Sequence, residues 1–338
     1  MQIQKENPEI DVVIPVYRPD ERLRRLLLLL RQQTVQPSCI LLVNTEESLF
    51  DPSFVEGIDR IEVVHIKKEE FDHGGTRHMA AAMLHGAFLL FLTQDAVPAD
   101  THLIENLYRR IETPLENELA ARLKARAASQ NPEFADAGRI CTAYACQLPN
   151  EDCGVLEAFT RQFNYGAEDR IKTEEDLETL GIKTFFCSDV CAMYRRSAYE
   201  ALGGFVRRTI FNEDMIFASK VIRSGGAVAY CADAKVIHSH NYSGLQQFHR
   251  NFDLGVSQAE HPEVFADVPS EQEGMRMIKQ TAAYLCSCGK WYLIGKLIWQ
   301  SGWKYLGYRL GKQYQKLPMP LIKKCSASPG YWKQNPER

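Results

Sequence analysis

Four short apolar runs, residues 10–16, 39–44, 61–66 and 87–92, alternate with helix-type segments, and nothing else in the chain limits its fold as tightly. Runs of this length with little polar alternation read as strands buried on both faces. The segments between them are long enough to cross over, so the pattern predicts a mostly parallel sheet with helices on both faces. Ligands of such sheets bind at the carboxyl ends of the strands. The first strand ends in Tyr17-Arg-Pro-Asp20, and Asp20 and Glu21 open a Leu/Arg helix to about residue 33, where acids suit the helix dipole. Gly74 and Gly75 break the pattern before a helix at 79–84.

Beyond residue 100 the signal changes. A charged, helical stretch between Pro114 and Pro132 predicts a surface insertion near 112–137. Residues 139–147, 185–194 and 228–237 read as strands. Helices are expected at 173–180, begun by Thr173 with Glu175 or Asp176 near its cap, at 197–202 with Gly203-Gly204 as its stop, and at 213–223. From residue 243 the pattern is helical to the end. A length of 338 residues calls for one large α/β unit with an appendage, or for two fused lobes.

Charge is unevenly spread. The chain's net charge is -3, yet residues 274–338 carry 12 Lys and Arg against a single acid, Glu337. Aromatics, among them Trp291, Tyr292, Trp299, Trp303 and Tyr305, are interleaved with those cations. Such a helix suits an anionic membrane surface, or the apolar stripe packs on the body or on a second copy in a homo-oligomer. No nucleic-acid motif accompanies the charge, and nucleic acid is not expected as a partner. The ten cysteines contain no CxxC pair and no signal peptide is seen, so reduced thiols and a cytoplasmic location are expected. No run approaches the ~20 apolar residues of a membrane span, so membrane contact is expected to be peripheral, at the inner face.

The chemistry-bearing residues gather at the ends of these elements. Asp95 follows the fourth strand and is a candidate ligand for a hard cation, or a cap for the turn before Pro98. His238 and His240, two apart, point to one face if extended. In Asp72-His-Gly-Gly-Thr-Arg-His78 the glycines let a backbone come close and Arg77 offers a forked donor to phosphate. Asp72 either binds a ligand's hydroxyl or caps the following helix. Neither GxGxxG after the first strand nor GxxxxGK[ST] occurs, which disfavours dinucleotide oxidoreductases and P-loop NTPases.

Several blocks, in order, resemble the family 2 glycosyltransferases, inverting enzymes of the GT-A fold, and among them the bacterial rhamnosyltransferases that use dTDP-L-rhamnose. They are Asp11-Val-Val-Ile-Pro-Val-Tyr17, Phe71-Asp-His-Gly-Gly-Thr-Arg77, Leu92-Thr-Gln-Asp-Ala96, Phe159 with Phe163-Asn-Tyr165, and Gly181-Ile-Lys-Thr-Phe-Phe-Cys-Ser-Asp189. Gly203-Gly-Phe205, Asn212-Glu-Asp214 and His238-Ser-His-Asn-Tyr242 complete the set. The resemblance implies a glycosyltransferase domain over 1–245, with a nucleotide-binding half at 1–100 and an acceptor half at 101–245, followed by a helical region at 246–338.

It also implies roles. Pro15, Tyr17, Arg18, Asn44, Glu46, Asp72, Gly74, Gly75, Arg77, Gln94 and Asp95 would meet the donor nucleotide sugar. The family closes its fourth strand with Asp-x-Asp around Mg²⁺ or Mn²⁺. Here Thr93 takes the first position, leaving Asp95 and one of His238 and His240 as ligands. Asp214 is the implied general base, with Glu213 as the alternative. Gln147 and Asp189 are weaker candidates for hydroxyls of donor sugar and acceptor. The acceptor would be a cell-surface polysaccharide or a lipid-linked glycan. A UDP-hexose donor, or a degenerate sugar-nucleotide-binding protein, are the competing readings.

Overall fold

The computed structural model describes residues 8–268 and 270–334. The outer ends of the expected regions 1–245 and 246–338, and Glu337 with them, lie outside the described residues. The first apolar run forms β1 (Ile10–Tyr17), followed by α1 (Glu21–Leu30), whose first turn is capped by Asp20 accepting from Arg22 N. β2 (Cys39–Thr45) and β3 (Ile61–Ile66) follow. α2 (His73–Ala82) then contains both glycines that the sequence pattern places before a helix. The reason is packing: a Cβ on Gly74 or Gly75 would overlap the carbonyl oxygens of Val206 and Arg207. β4 (Phe88–Leu92) and the two-residue β5 (Val97–Pro98) complete the first half.

α3 (Leu103–Glu112) buries Leu103, Ile104, Leu107 and Ile111 against the sheet, and α4 (Asn117–Gln130) buries only Leu123 and Ala127. The covering helix α3 thus ends where the insertion was expected to begin, and the range 112–137 holds the mostly exposed α4. Next come β6 (Ile140–Leu148), α5 (Val155–Asn164), β7 (Arg170–Lys172) and α6 (Leu177–Leu180), the last preceded by a Thr173–Asp176 capping box. The strand expected over 185–194 is shorter. A 3₁₀ turn occupies Gly181–Phe185, and β8 (Cys191–Arg195) starts only after Asp189 has turned inward. α7 (Arg196–Ala201), α8 (Glu213–Arg223) and β9 (Ala227–Ile237) follow.

The sheet runs β3-β2-β1-β4-β8-β6-β9-β5, with β7 beside β9. The first four strands are parallel, as expected, whereas β8 lies antiparallel between β4 and β6, so the sheet is mixed. Alternate residues feed two cores. Val13, Leu41, Leu89 and Phe91 pack on one face, and Val12, Ile14, Leu42 and Leu90 on the other. This double burial is why the strands read as continuous apolar runs.

A helical layer closes the chain: α9 (Gly244–Glu260), α10 (Pro262–Phe265), α11 (Glu271–Ser287), α12 (Ile294–Lys312) and α13 (Met319–Cys325). α12 lies directly on α9 because Gly307 and Gly311 leave no side chain between it and the backbone of Phe248 and Phe252. Trp291 and Tyr292, in the 3₁₀ turn before α12, and Ile298, Trp299 and Tyr305 on α12 are each 60–68% exposed. Among the described residues, no helix is long and apolar enough to cross a membrane. All ten cysteines are free.

Candidate active site

The strand ends carry local strain. Arg18 (φ 49°) follows β1 and Glu46 (φ 68°) follows β2, both in the left-handed region that non-glycine residues seldom enter. Asn44 is buried, donates to Glu46 O at 3.1 Å and meets His65 Nδ1 at 3.0 Å. Glu46 Oε1 accepts from Lys68 N at 2.5 Å. Pro15 lies beyond the β1–β4 ladder, which ends at Val13. Gln94, expected to meet the donor, spends both ends of its amide on Tyr17: it accepts from Tyr17 N at 2.8 Å and donates to Tyr17 O at 3.0 Å. Gln94 therefore pins the ends of β1 and β4 together.

Where β4 and β9 end, Asp95, His238 and His240 converge, and their ligand atoms lie within 4.8 Å of one another. Asp95 is 3.6 Å from His238 Nε2 and 3.3 Å from His240 Nε2, and the two imidazole nitrogens are 3.1 Å apart. Burial, only partly offset by Asp95, drives the His238 pKa down to about 3. His240 is lowered for the same first reason. Neutral imidazoles beside one carboxylate are a donor set that fits a divalent cation, because a protonated ring has no lone pair to give.

A second cluster faces the same space from α8. Asn212 takes a left-handed turn (φ 65°), a conformation asparagine tolerates, and starts the helix so abruptly that Glu213 and Asp214 diverge. Glu213 is buried against Arg77 Nη1 at 3.1 Å, with His73 Nδ1 at 3.9 Å. Asp214 stays partly exposed, accepting from Met215 N at 2.7 Å and Asp189 N at 3.2 Å. Burial first, then the Glu213 charge, push the Asp214 carboxyl up to about 7. Asp189 is raised too, by burial, while Tyr194 OH donates to it at 2.6 Å.

Both clusters line one cleft of about 360 Å³, with Gln147, Arg161, Tyr242 and Arg250. A larger cavity of about 500 Å³, between α5, α9, α11 and α12, shares His240 and Tyr242 with it.

Two residues expected at the donor also make contacts within the protein. Arg77 is buried in the wall of the cleft, 3.6 Å from Asp189 as well as paired with Glu213, so its guanidinium offsets the acids gathered there. Asp72 caps α2, accepting from Gly75 N at 2.6 Å, which is the capping alternative. Arg250 was missed by sequence reasoning. Its guanidinium lies 4.9 Å from the Tyr242 ring centre and 5.4 Å from that of Phe211. Among the described residues it has no ion-pair partner. Nothing in its local sequence separates it from a solvated helix charge. Arg161 was missed too, although Glu157 four residues before it, its ion-pair partner, was a visible signal.

Comparison with known proteins bears on the family and the fold. The sequence profile of Glycosyl transferase family 2 matches residues 11–203. The chain is 34% identical over 326 residues to the O-antigen chain rhamnosyltransferase RfbN of Salmonella typhimurium, covering 96% of each chain. It is likewise 34% identical over 328 residues to the O-antigen chain rhamnosyltransferase WbaN of Salmonella anatum, again 96% of each. In fold it is similar to a mannosyltransferase from Pyrobaculum calidifontis solved with GDP-Man and Mn²⁺, with a TM-score of 0.53 and 13% identity over 97% of this chain and 86% of that one. The GT-A-like sheet and the extent of both sequence matches lead to one assignment: the chain belongs to the family 2 glycosyltransferases.

Proposed function

We propose that this chain transfers L-rhamnose from dTDP-L-rhamnose, with inversion, to a hydroxyl of a cell-surface polysaccharide or lipid-linked glycan. The observation that carries the reading is the single cleft into which Asp95, His238 and His240 face from one side and Asp214 from the other. The names of the two relatives supply the sugar.

In this reading Asp95, His238 and His240 would hold a divalent cation, Mg²⁺ or Mn²⁺. Bound there, it would offset charge developing on the departing diphosphate. Arg250, whose charge no carboxylate has claimed, serves the same diphosphate in place of Arg77. The acceptor oxygen attacks C1 while the bond from C1 to the diphosphate oxygen breaks and its electron pair leaves with the nucleotide. Asp214 Oδ takes the acceptor's proton, a task suited to a carboxyl held near neutrality. Glu213, tied to Arg77, serves by raising Asp214. The glycan reaches Asp214 past His240 and Tyr242 from the larger cavity, beside α12, whose exposed aromatics and flanking lysines suit the inner face of an anionic membrane.

The test is a transfer assay with dTDP-rhamnose, UDP-glucose and UDP-galactose, with and without Mn²⁺, on rhamnose-deficient acceptor glycan. Turnover confined to a UDP-sugar would sink the donor assignment. Absence of any transfer or donor hydrolysis would leave a binding protein.

A further inference from the structure

Beside the cleft lies another cavity, of about 280 Å³, lined in part by Thr209 and Ile210 and otherwise by two walls from opposite ends of the chain. One wall is Tyr17, Thr45, Lys68 and Asp72, at the ends of the first strands and the start of α2. The other is residues 327–331, which follow α13 and return across the molecule. On the first wall the Tyr17 ring is partly exposed, with the Lys68 ammonium 5.5 Å and the Arg18 guanidinium 5.3 Å from its centre. An exposed ring flanked by cations is a stacking platform for a planar group attached to an anion.

The second wall is held in place. His249 Nδ1 bonds Cys325 O at 2.7 Å, and the buried Asp253 accepts from Ala327 N at 2.9 Å. Tyr331 OH donates to Glu260 at 3.1 Å, while the Trp332 ring is buried against Tyr314. These anchors all lie on α9 or in the core it shares with α13, so the segment is braced from behind and presents its front to Tyr17.

We propose that residues 327–331 form the outer wall of the nucleoside subsite, enclosing the donor's base and ribose against Tyr17. The proposal rests on the donor reading above. It makes the C-terminal segment part of nucleotide recognition, with the sugar and diphosphate ends of the donor left to the neighbouring cleft.

Gly330 supplies the test. A Cβ there would have only Lys68 O within 4 Å, at 3.9 Å, so a larger side chain has room and grows toward the cavity. Binding of dTDP with Mg²⁺, measured by calorimetry, is expected to weaken at least about tenfold in Gly330→Phe, the loss of one expelled stacked base. Competition by inorganic pyrophosphate should not change. Tyr17→Ala is the reference for the opposite wall. Weakening by Tyr17→Ala with full affinity in Gly330→Phe overturns the C-terminal wall and leaves the donor reading standing. A wild-type chain that binds no dTDP overturns both. Should Gly330→Phe not fold, amide exchange in the wild type decides. Slowing at 327–331 on adding dTDP supports the wall; unchanged exchange there, with slowing around Tyr17, overturns it.

Discussion

Gln147 fixes the tautomer of His238. Arg161 donates to Gln147 Oε1 at 2.6 Å, which establishes that atom as the carboxamide oxygen, and His238 Nδ1 lies 3.1 Å from it. The amide nitrogen of Gln147 donates to Ser188 Oγ at 2.9 Å, in agreement. An oxygen only accepts, so His238 carries its proton on Nδ1 and turns the Nε2 lone pair toward Asp95 and His240.

Replacing Gln147 by Leu removes that constraint. Loss of an outer partner of a metal-binding histidine costs about 10–100-fold in metal affinity, and that is the weakening expected for Mn²⁺ in a direct titration of Gln147→Leu. Unchanged Mn²⁺ affinity would show that His238 is not a ligand.

Asp95 and Asp214, two of the carboxylates that line the cleft, should separate in their effects. Asp95→Asn is expected to lose Mn²⁺ binding and transfer together, with thermal unfolding little changed because Asp95 is partly exposed. Asp214→Asn should keep dTDP and Mn²⁺ binding but lower kcat by about 10²–10⁴-fold, the usual contribution of a general base. Retained turnover in Asp214→Asn moves the base elsewhere.

Asp214 also predicts two pH dependences. As a base it works only when deprotonated, so kcat/KM should rise about tenfold per pH unit below about 7 and level off above it. Stability moves the other way. Its folded pKa lies above its ordinary value of 3.8, so between that value and about 7 the folded state binds more protons than the unfolded one. Folding stability from this group is therefore full below its unfolded pKa and falls as pH rises through about 7. Asp214→Asn should raise the unfolding midpoint more at pH 8 than at pH 5, and an equal shift at both would contradict the raised pKa.

How much of this was legible in the sequence depended on whether the partners were local. The strands of the first half show as apolar runs because both faces of the sheet are covered, and helix 213–223 shows because its acids and its Gly225-Gly226 stop are its own. Asp95, His238 and His240 could be proposed together because each follows a recognisable strand. The acidic partners of Arg77 could not be foreseen, since Asp189 and Glu213 reach it only through the fold. Gly74 and Gly75 look like a turn for the same reason: the backbone that demands them, at Val206 and Arg207, is far along the chain. The antiparallel β8 inside a parallel pattern is equally silent, because a doubly buried strand reads the same in either direction. Residues 327–331 carried no motif at all, and only their return to Tyr17 gives them meaning.

The exposed face of α12 separates two readings of the basic tail that the packing on α9 does not. Burying Gly307 and Gly311 against α9 uses one side of the helix, and Trp291, Tyr292, Ile298, Trp299 and Tyr305 remain on the surface. Lys296 and Lys312 lie along the same helical segment, so aromatic insertion and headgroup attraction would act together. Binding to vesicles containing phosphatidylglycerol should exceed binding to phosphatidylcholine alone and should fall as salt rises from about 0.05 to about 0.5 M, because added ions shorten the reach of surface charge to a few ångströms. Substituting Trp291, Trp299 and Tyr305 by Ser should reduce vesicle binding even at low salt while thermal unfolding stays unchanged, since none of the three is in a buried core cluster. If the same substitutions instead dissolve a dimer in sedimentation velocity, and the wild type ignores anionic vesicles, the face belongs to a second copy of the chain and the membrane reading fails.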